Sequence, residues 1–163
     1  MKKALLILLL IITATTSCER DDICIDEITP KFIVRFYDFD DSELTKSVEN
    51  IVVRVIGTDF DSLYTDNSAT ITSSTDSIAI PLFVLDSQTK FIITSNSTDE
   101  TLISIDTLDL NYTPEEVFIG RSCGFKSVFN NVDYHYTTNW IKGFEIVTDT
   151  IQNETKAHVE IFH

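Results

Sequence analysis

Phe32-Ile33-Val34-Arg35-Phe36-Tyr37 sets Phe32, Val34 and Phe36 in alternation with Ile33, Arg35 and Tyr37. Successive side chains of a strand point to opposite faces, so this period of two predicts a strand with one face turned to a core. Ile51-Val52-Val53-Arg54-Val55-Ile56 repeats the pattern. Further short runs follow at 78–83, 91–94, 102–110, 117–121, 128–136, 144–148 and 158–162. They are β-branched or aromatic and bounded by Asp, Asn, Ser, Thr and Gly, the composition of strands and their turns. After residue 17 no segment carries a sustained i, i+3, i+4 apolar stripe. About nine strands at roughly ten-residue spacing predict an all-β fold: a single β-sandwich, immunoglobulin-like or related.

Three local features refine this reading. Pro81 lies in a strand pattern, which predicts an edge strand or a bulge. Between Ile105 and Leu108 the apolar parity slips by one, which predicts a bulge or tight turn near Asp106-Thr107. Thr113-Pro114-Glu115-Glu116 has a cap, a proline and two acids, the start signal of a helix. Gly120 would stop it within two turns, so a single turn between two strands is expected there.

The chain begins with Lys2 and Lys3, an unbroken apolar run from Leu5 to Ile12, small polar residues to Ser17, and then Cys18. A positive start, a short apolar stretch and a small-residue site make a secretory signal over residues 1–17. The run is too short to span a bilayer as a helix. A cysteine at this place predicts acylation of Cys18, which becomes the mature N-terminus; the competing reading is an ordinary signal with a chance cysteine. Thr15-Thr16-Ser17 is a relaxed lipobox, since Leu is usual at its first place, and it resembles those of Bacteroidota lipoproteins. Arg20-Asp21-Asp22 resembles the signal that sends such lipoproteins to the cell surface, with Arg where Lys is more usual. Its plain alternative is a solvated tether. The expected location is the outer membrane, surface-exposed or otherwise on the periplasmic face. Residues 18–30 read as a lipidated tether ending at Pro30, and residues 31–163 as the domain.

The chain has 163 residues and a formal charge of -14. Loss of Lys2 and Lys3 with the leader lowers that by two, to -16. The length of the remainder fits one domain with a real core. An acidic body argues against nucleic acid, whose phosphates need Lys and Arg, and it keeps the domain away from anionic lipid heads. Of the three cysteines, Cys24 and Cys123 remain once Cys18 carries lipid. An even pair in an oxidising compartment predicts a disulfide, against the alternative of two separate thiols. Neither has a close Cys or His partner in sequence, so a metal site is not expected.

Candidate sites are few. Tyr134, Tyr136 and Trp140 lie close in sequence beside Thr137, Thr138 and Asn139, and exposed rings beside amides can stack on sugars. The simpler reading is a strand end whose rings pack half into the core. Asp38, Asp40, Asp41 and Glu43 crowd one loop as calcium ligands do, but without the glycine and terminal glutamate of an EF-hand; a solvated loop is the better reading. His135, His158 and His163 make no zinc motif. There is no G-x-S-x-G, and with four glycines in the chain phosphate-cradling loops are excluded. No enzyme activity and no cofactor are therefore expected. Ser62, Ser77, Thr107 and Thr150 each follow Asp and precede an aliphatic residue, a mild excess of triplets that resemble Bacteroidota O-glycosylation acceptors. Asn96, Asn111 and Asn153 head N-x-[S/T] triplets without a matching compartment.

Cys18-Glu-Arg-Asp-Asp-Ile-Cys24, Phe32-Ile-Val-Arg-Phe-Tyr-Asp38, Asp76-Ser-Ile-Ala-Ile-Pro-Leu82, Arg121-Ser-Cys-Gly-Phe125 and Ala157-His-Val-Glu-Ile-Phe-His163 together resemble an uncharacterised Bacteroidota lipoprotein family. The resemblance covers nearly the whole chain and implies lipidation and the cysteine pair. That family is a domain of unknown function, so it implies no activity and supplies no catalytic residue. The reading is a lipid-anchored β-sandwich held at the outer membrane. Its expected role is interaction or structural support through a protein partner, with glycan binding as the alternative.

Overall fold

Phe32, Val34 and Phe36 are fully buried while Arg35 between them faces solvent, as the alternation requires. They sit on β1 (Phe32–Tyr37) in the computed structural model, which describes residues 24, 28–56, 74–96 and 99–163. Seven more strands follow: β2 (Val52–Ile56), β3 (Ser77–Ile80), β4 (Gln88–Ser95), β5 (Ser104–Gly120), β6 (Gly124–Tyr136), β7 (Gly143–Ile146) and β8 (Val159–Phe162). The signal residues 1–17, Cys18, Arg20, Asp21, Asp22 and Ser62 lie outside the described residues.

The strands form two four-stranded sheets, ordered β3-β1-β8-β7 and β2-β4-β5-β6. All neighbours are antiparallel except β1 and β8, which run parallel with Val34 opposite Val159. The two sheets share one apolar core. Phe32, Val34, Phe36, Ile78, Val159 and Ile161 enter it from one sheet, and Phe91, Ile93, Leu108, Leu110, Phe129 and Val132 from the other. Aromatic contacts cross between the sheets, with Phe32 and Tyr134 ring centres 5.9 Å apart. The all-β sandwich is as expected.

Eight strands stand among the described residues where nine were expected, because the runs at 102–110 and 117–121 are one strand, β5. The helix signal between them is overridden. Beyond Asn111 the pairing with β4 has ended, so β5 keeps only β6 as a neighbour. Pro114 lies opposite Phe129, whose own N–H and carbonyl bond to Ile151 on the far side. The hydrogen-bonding edge of Pro114 therefore faces away from β6, and its missing N–H breaks no bond of that pair. Pro81 behaves as expected: it follows β3, the edge of its sheet.

The bulge is not at Asp106-Thr107. Register runs unbroken there, Ile93 opposite Asp106 and Ile92 opposite Thr107. The bulge lies instead across from Tyr112, between the Asn111–Asp133 and Thr113–Asn130 pairs, where Asn131 adopts a left-handed φ of 53°. Asparagine tolerates that conformation better than most residues. The extra residue lets both Phe129 and Val132 face inward.

Candidate functional site

Asp106 explains the parity slip. It is an inward-facing carboxylate with no exposed surface, standing where the pattern of β5 calls for an apolar side chain. One of its oxygens accepts from Thr137 Oγ1 at 2.6 Å and from the Asn139 N–H at 2.8 Å. The other accepts from the N–H groups of Trp140 at 2.8 Å and Ile141 at 2.9 Å. A buried charge is tolerable only when its hydrogen bonds are met, and here four donors meet them. Thr137 also accepts from the Thr107 N–H, and Asn139 donates to the Ile105 carbonyl. Asp106 thus organises the whole turn between β6 and β7. The misplaced acid in β5 was the available sequence signal.

That turn carries the aromatic candidates, and their surroundings differ. Tyr134 is buried, its hydroxyl donating to the Thr148 carbonyl at 3.0 Å. Burial, reinforced by Asp149, raises the pKa of that hydroxyl. Tyr136 is partly exposed and stacks on Phe144 with ring centres 4.4 Å apart. Trp140 packs against the core beside Phe36, and its indole N–H donates to the Ile93 carbonyl at 3.3 Å. The three rings do not form a common exposed platform, because Tyr134 faces the interior. An edge of Trp140 does line an open cleft of about 420 Å³ with Lys46, Ser95, Asn96, Lys142 and His163.

At the far end of the molecule, β5 and β6 run on past the sandwich as a two-stranded arm. Phe118 and Phe125 lie directly opposite on it, in edge-to-face contact at 5.4 Å, and are 59% and 57% exposed. Val117 and Ile119 are also exposed. Gly124 supplies the positive φ of the turn at its tip. Cys123 in that turn is bonded to Cys24, with Cα atoms 4.9 Å apart, so the expected disulfide is present. Ser127 of the arm donates its N–H to the Ile28 carbonyl at 2.9 Å. The N-terminal segment thus meets the arm at two places, Ile28 by Ser127 and Cys24 by Cys123.

The remaining candidates have structural partners. Asp38 caps its own loop, accepting from the N–H groups of Asp40 and Asp41, and pairs with Lys46 at 2.8 Å. Lys46, with those amides, lowers the Asp38 pKa to about 2. Among the described residues no group of three or more His, Cys, Asp or Glu could hold a metal ion. His158 is buried; its Nδ1 accepts from the Ile33 N–H and its Nε2 donates to the Asn153 carbonyl, which fixes a neutral tautomer. His135 is exposed beside Asp133, and His163 donates to the Lys46 carbonyl. Ser77 Oγ donates to the Val34 carbonyl inside its sheet, Thr107 is half-buried on β5, and Thr150 lies beside Asp149 in the segment after β7.

The model of a family of unknown function, DUF6452, matches residues 52–163. That is more than half of the chain, and the chain belongs to this family. The matched stretch takes in β2 to β8, the arm and Cys123, but not β1 or Cys24. No curated protein and no solved structure matches the chain.

Proposed function

We propose that this member of the family is a lipid-anchored, extracytoplasmic interaction or structural module of the Bacteroidota outer membrane, without an enzymatic activity of its own. The observation that carries the reading is the leader: Lys2 and Lys3, the apolar run from Leu5 to Ile12, and Cys18 directly after small residues. The Cys24–Cys123 bridge supports it, because disulfides persist in oxidising compartments. The strong acidity of the chain suits a body held clear of an anionic membrane surface. Arg20-Asp21-Asp22 is read as the surface-export signal, and the partner as a protein. In cells, Cys18→Ala should release the chain from the outer membrane fraction or stall its processing. Wild-type fractionation of that variant would refute the anchor. Replacing Arg20, Asp21 and Asp22 with alanine should leave acylation intact but protect the chain from protease added to whole cells.

One observation favours glycan binding as a second reading: Trp140 borders a cleft with the polar side chains of Ser95 and Asn96. Trp140 is the sole tryptophan, so its fluorescence reports on that cleft alone. A saturable response to a sugar, lost in Trp140→Ala with the fold intact, would put this reading first.

A further inference from the structure

We infer that the tip of the β5–β6 arm is a membrane-contacting element, in which Phe118 and Phe125 enter the headgroup region of the bilayer to which Cys18 is anchored. The inference rests on the lipoprotein reading and adds to it a second contact point. Three observations carry it. The first is direction. Ile28 meets Ser127 and Cys24 meets Cys123, so moving four residues toward the N-terminus moves four residues toward the tip of the arm. The arm therefore points toward the end of the chain that holds the anchor.

The second is reach. Five residues lie between Cys18 and Cys24, and the six steps from one cysteine to the other span only about 20 Å when fully extended. The disulfide adds 4.9 Å between Cα atoms, so Cys123 at the tip stays within about 25 Å of Cys18, however the intervening residues run. The third is chemistry. Phe118 and Phe125 form an apolar pair that is more than half exposed, and Val117, beside Phe118 in the strand, is exposed on the other face of the arm. Between Glu116 and Asp133 the chain has Arg121 and Lys126 and no acid, against an acidic whole. An anionic surface attracts this tip and repels the body, so the domain stands upright on its arm. Rings with flanking cations are the side chains that settle at a membrane interface. Leu102, also exposed, precedes β5 and so lies at the opposite end of that strand from the arm.

The test uses the full-length, acylated protein with Trp140→Phe as background and Phe118→Trp as the sole reporter. The protein is reconstituted in vesicles of phosphatidylethanolamine and phosphatidylglycerol, with and without brominated acyl chains. The expected result is a blue-shifted emission that loses about half its intensity to the brominated lipid, as burial at interfacial depth requires. Adding Cys24→Ser should reduce the quenching, because the tip is then no longer tied to the anchor. Red-shifted, unquenched emission from acylated, vesicle-bound protein overturns the inference while leaving the lipoprotein reading intact. Blue-shifted emission without quenching also overturns it, and assigns the patch to a second protein surface. Mass analysis of the N-terminal peptide separates these results from a failure of the anchor: an unacylated Cys18 overturns both readings.

Discussion

Asp106→Ala removes the acceptor of four hydrogen bonds and leaves the N–H groups of Asn139, Trp140 and Ile141 and the Thr137 hydroxyl without it. A hydrogen bond to a charged group contributes about 1.5–3 kcal/mol, and a buried orphaned donor costs about 1–3 kcal/mol. The four do not add, because the Asn139 side of the turn is open enough for water to replace some of the loss. The Ile141 N–H is the buried one. The expected cost is about 3–5 kcal/mol, a large share of the roughly 5–15 kcal/mol by which domains are stable. Asp106→Asn keeps one carbonyl oxygen, enough for the Trp140 and Ile141 pair, but turns an NH₂ toward the Asn139 N–H. Its cost should be smaller, about 2–3 kcal/mol. Urea unfolding of the oxidised chain measures both, followed by far-ultraviolet circular dichroism and by Trp140 fluorescence. Since Trp140 is itself one of the released residues, its emission should move red in Asp106→Ala before global unfolding begins. Stability within about 0.5 kcal/mol of wild type, with an unchanged Trp140 spectrum, would refute the view that this carboxylate holds the turn.

Burial lowers the pKa of His158 below 6.5, against the smaller opposing effects of the Asn153 carbonyl and Glu154. The unfolded chain then takes up the proton first, so stability is full above about pH 6.5 and falls as pH drops toward the folded pKa. Urea midpoints that stay flat over that range, or an imidazole titrating in its ordinary range by NMR, would count against the buried neutral tautomer. Lys46→Ala should raise the Asp38 pKa from about 2 toward 3.8, because the Lys46 bond is the largest cause of its depression; carboxyl NMR titration reads this directly. Cys24→Ser or Cys123→Ser opens a bridge between residues 99 apart. Chain entropy sets a ceiling near 4.7 kcal/mol for a loop of about 100 residues, and about 2–4 kcal/mol is expected in practice from denaturant unfolding under oxidising conditions.

Much of the sandwich was legible because one face of each strand is wet. Arg35 in β1 and Arg54 in β2 mark the outward positions, and both are exposed. The merger of two runs into β5 was not legible, since Thr113-Pro114-Glu115-Glu116 is a good local helix start. What overrules it is the register of β6, a partner that no window around Pro114 contains. Asp106 produced a true anomaly in the pattern, and the physical choice lay between moving the backbone and burying the charge. The chain buries the charge, because the turn at 137–141 supplies donors from over thirty residues away. The bulge appears at Asn131 instead, where a residue suited to a left-handed φ stands at the one parity slip of the run, between Phe129 and Val132. The reading of this strand end as rings packed half into the core covers both Tyr134, which is buried, and Trp140, which packs against the core.

Phe118 and Phe125 were illegible for a different reason: in sequence they look the same as the core phenylalanines. Only the end of the β4 pairing at Asn111 shows that the strand beyond it has no second sheet to cover it. This bears on what the disulfide does. Two strands alone are marginal in water, and an arm whose rings are mostly exposed gains little from burial. The bridge at its tip and the Ile28 contact at Ser127 tie the arm at two points to the chain's N-terminal end. If the bridge served stability alone, any pair of sites closing a long loop would do as well, since the entropic gain depends on loop length and not on place. It lies instead at the one turn farthest along an exposed apolar arm and six residues from Cys18. That placement gives it a positioning role, tying the exposed arm to the N-terminal end of the chain.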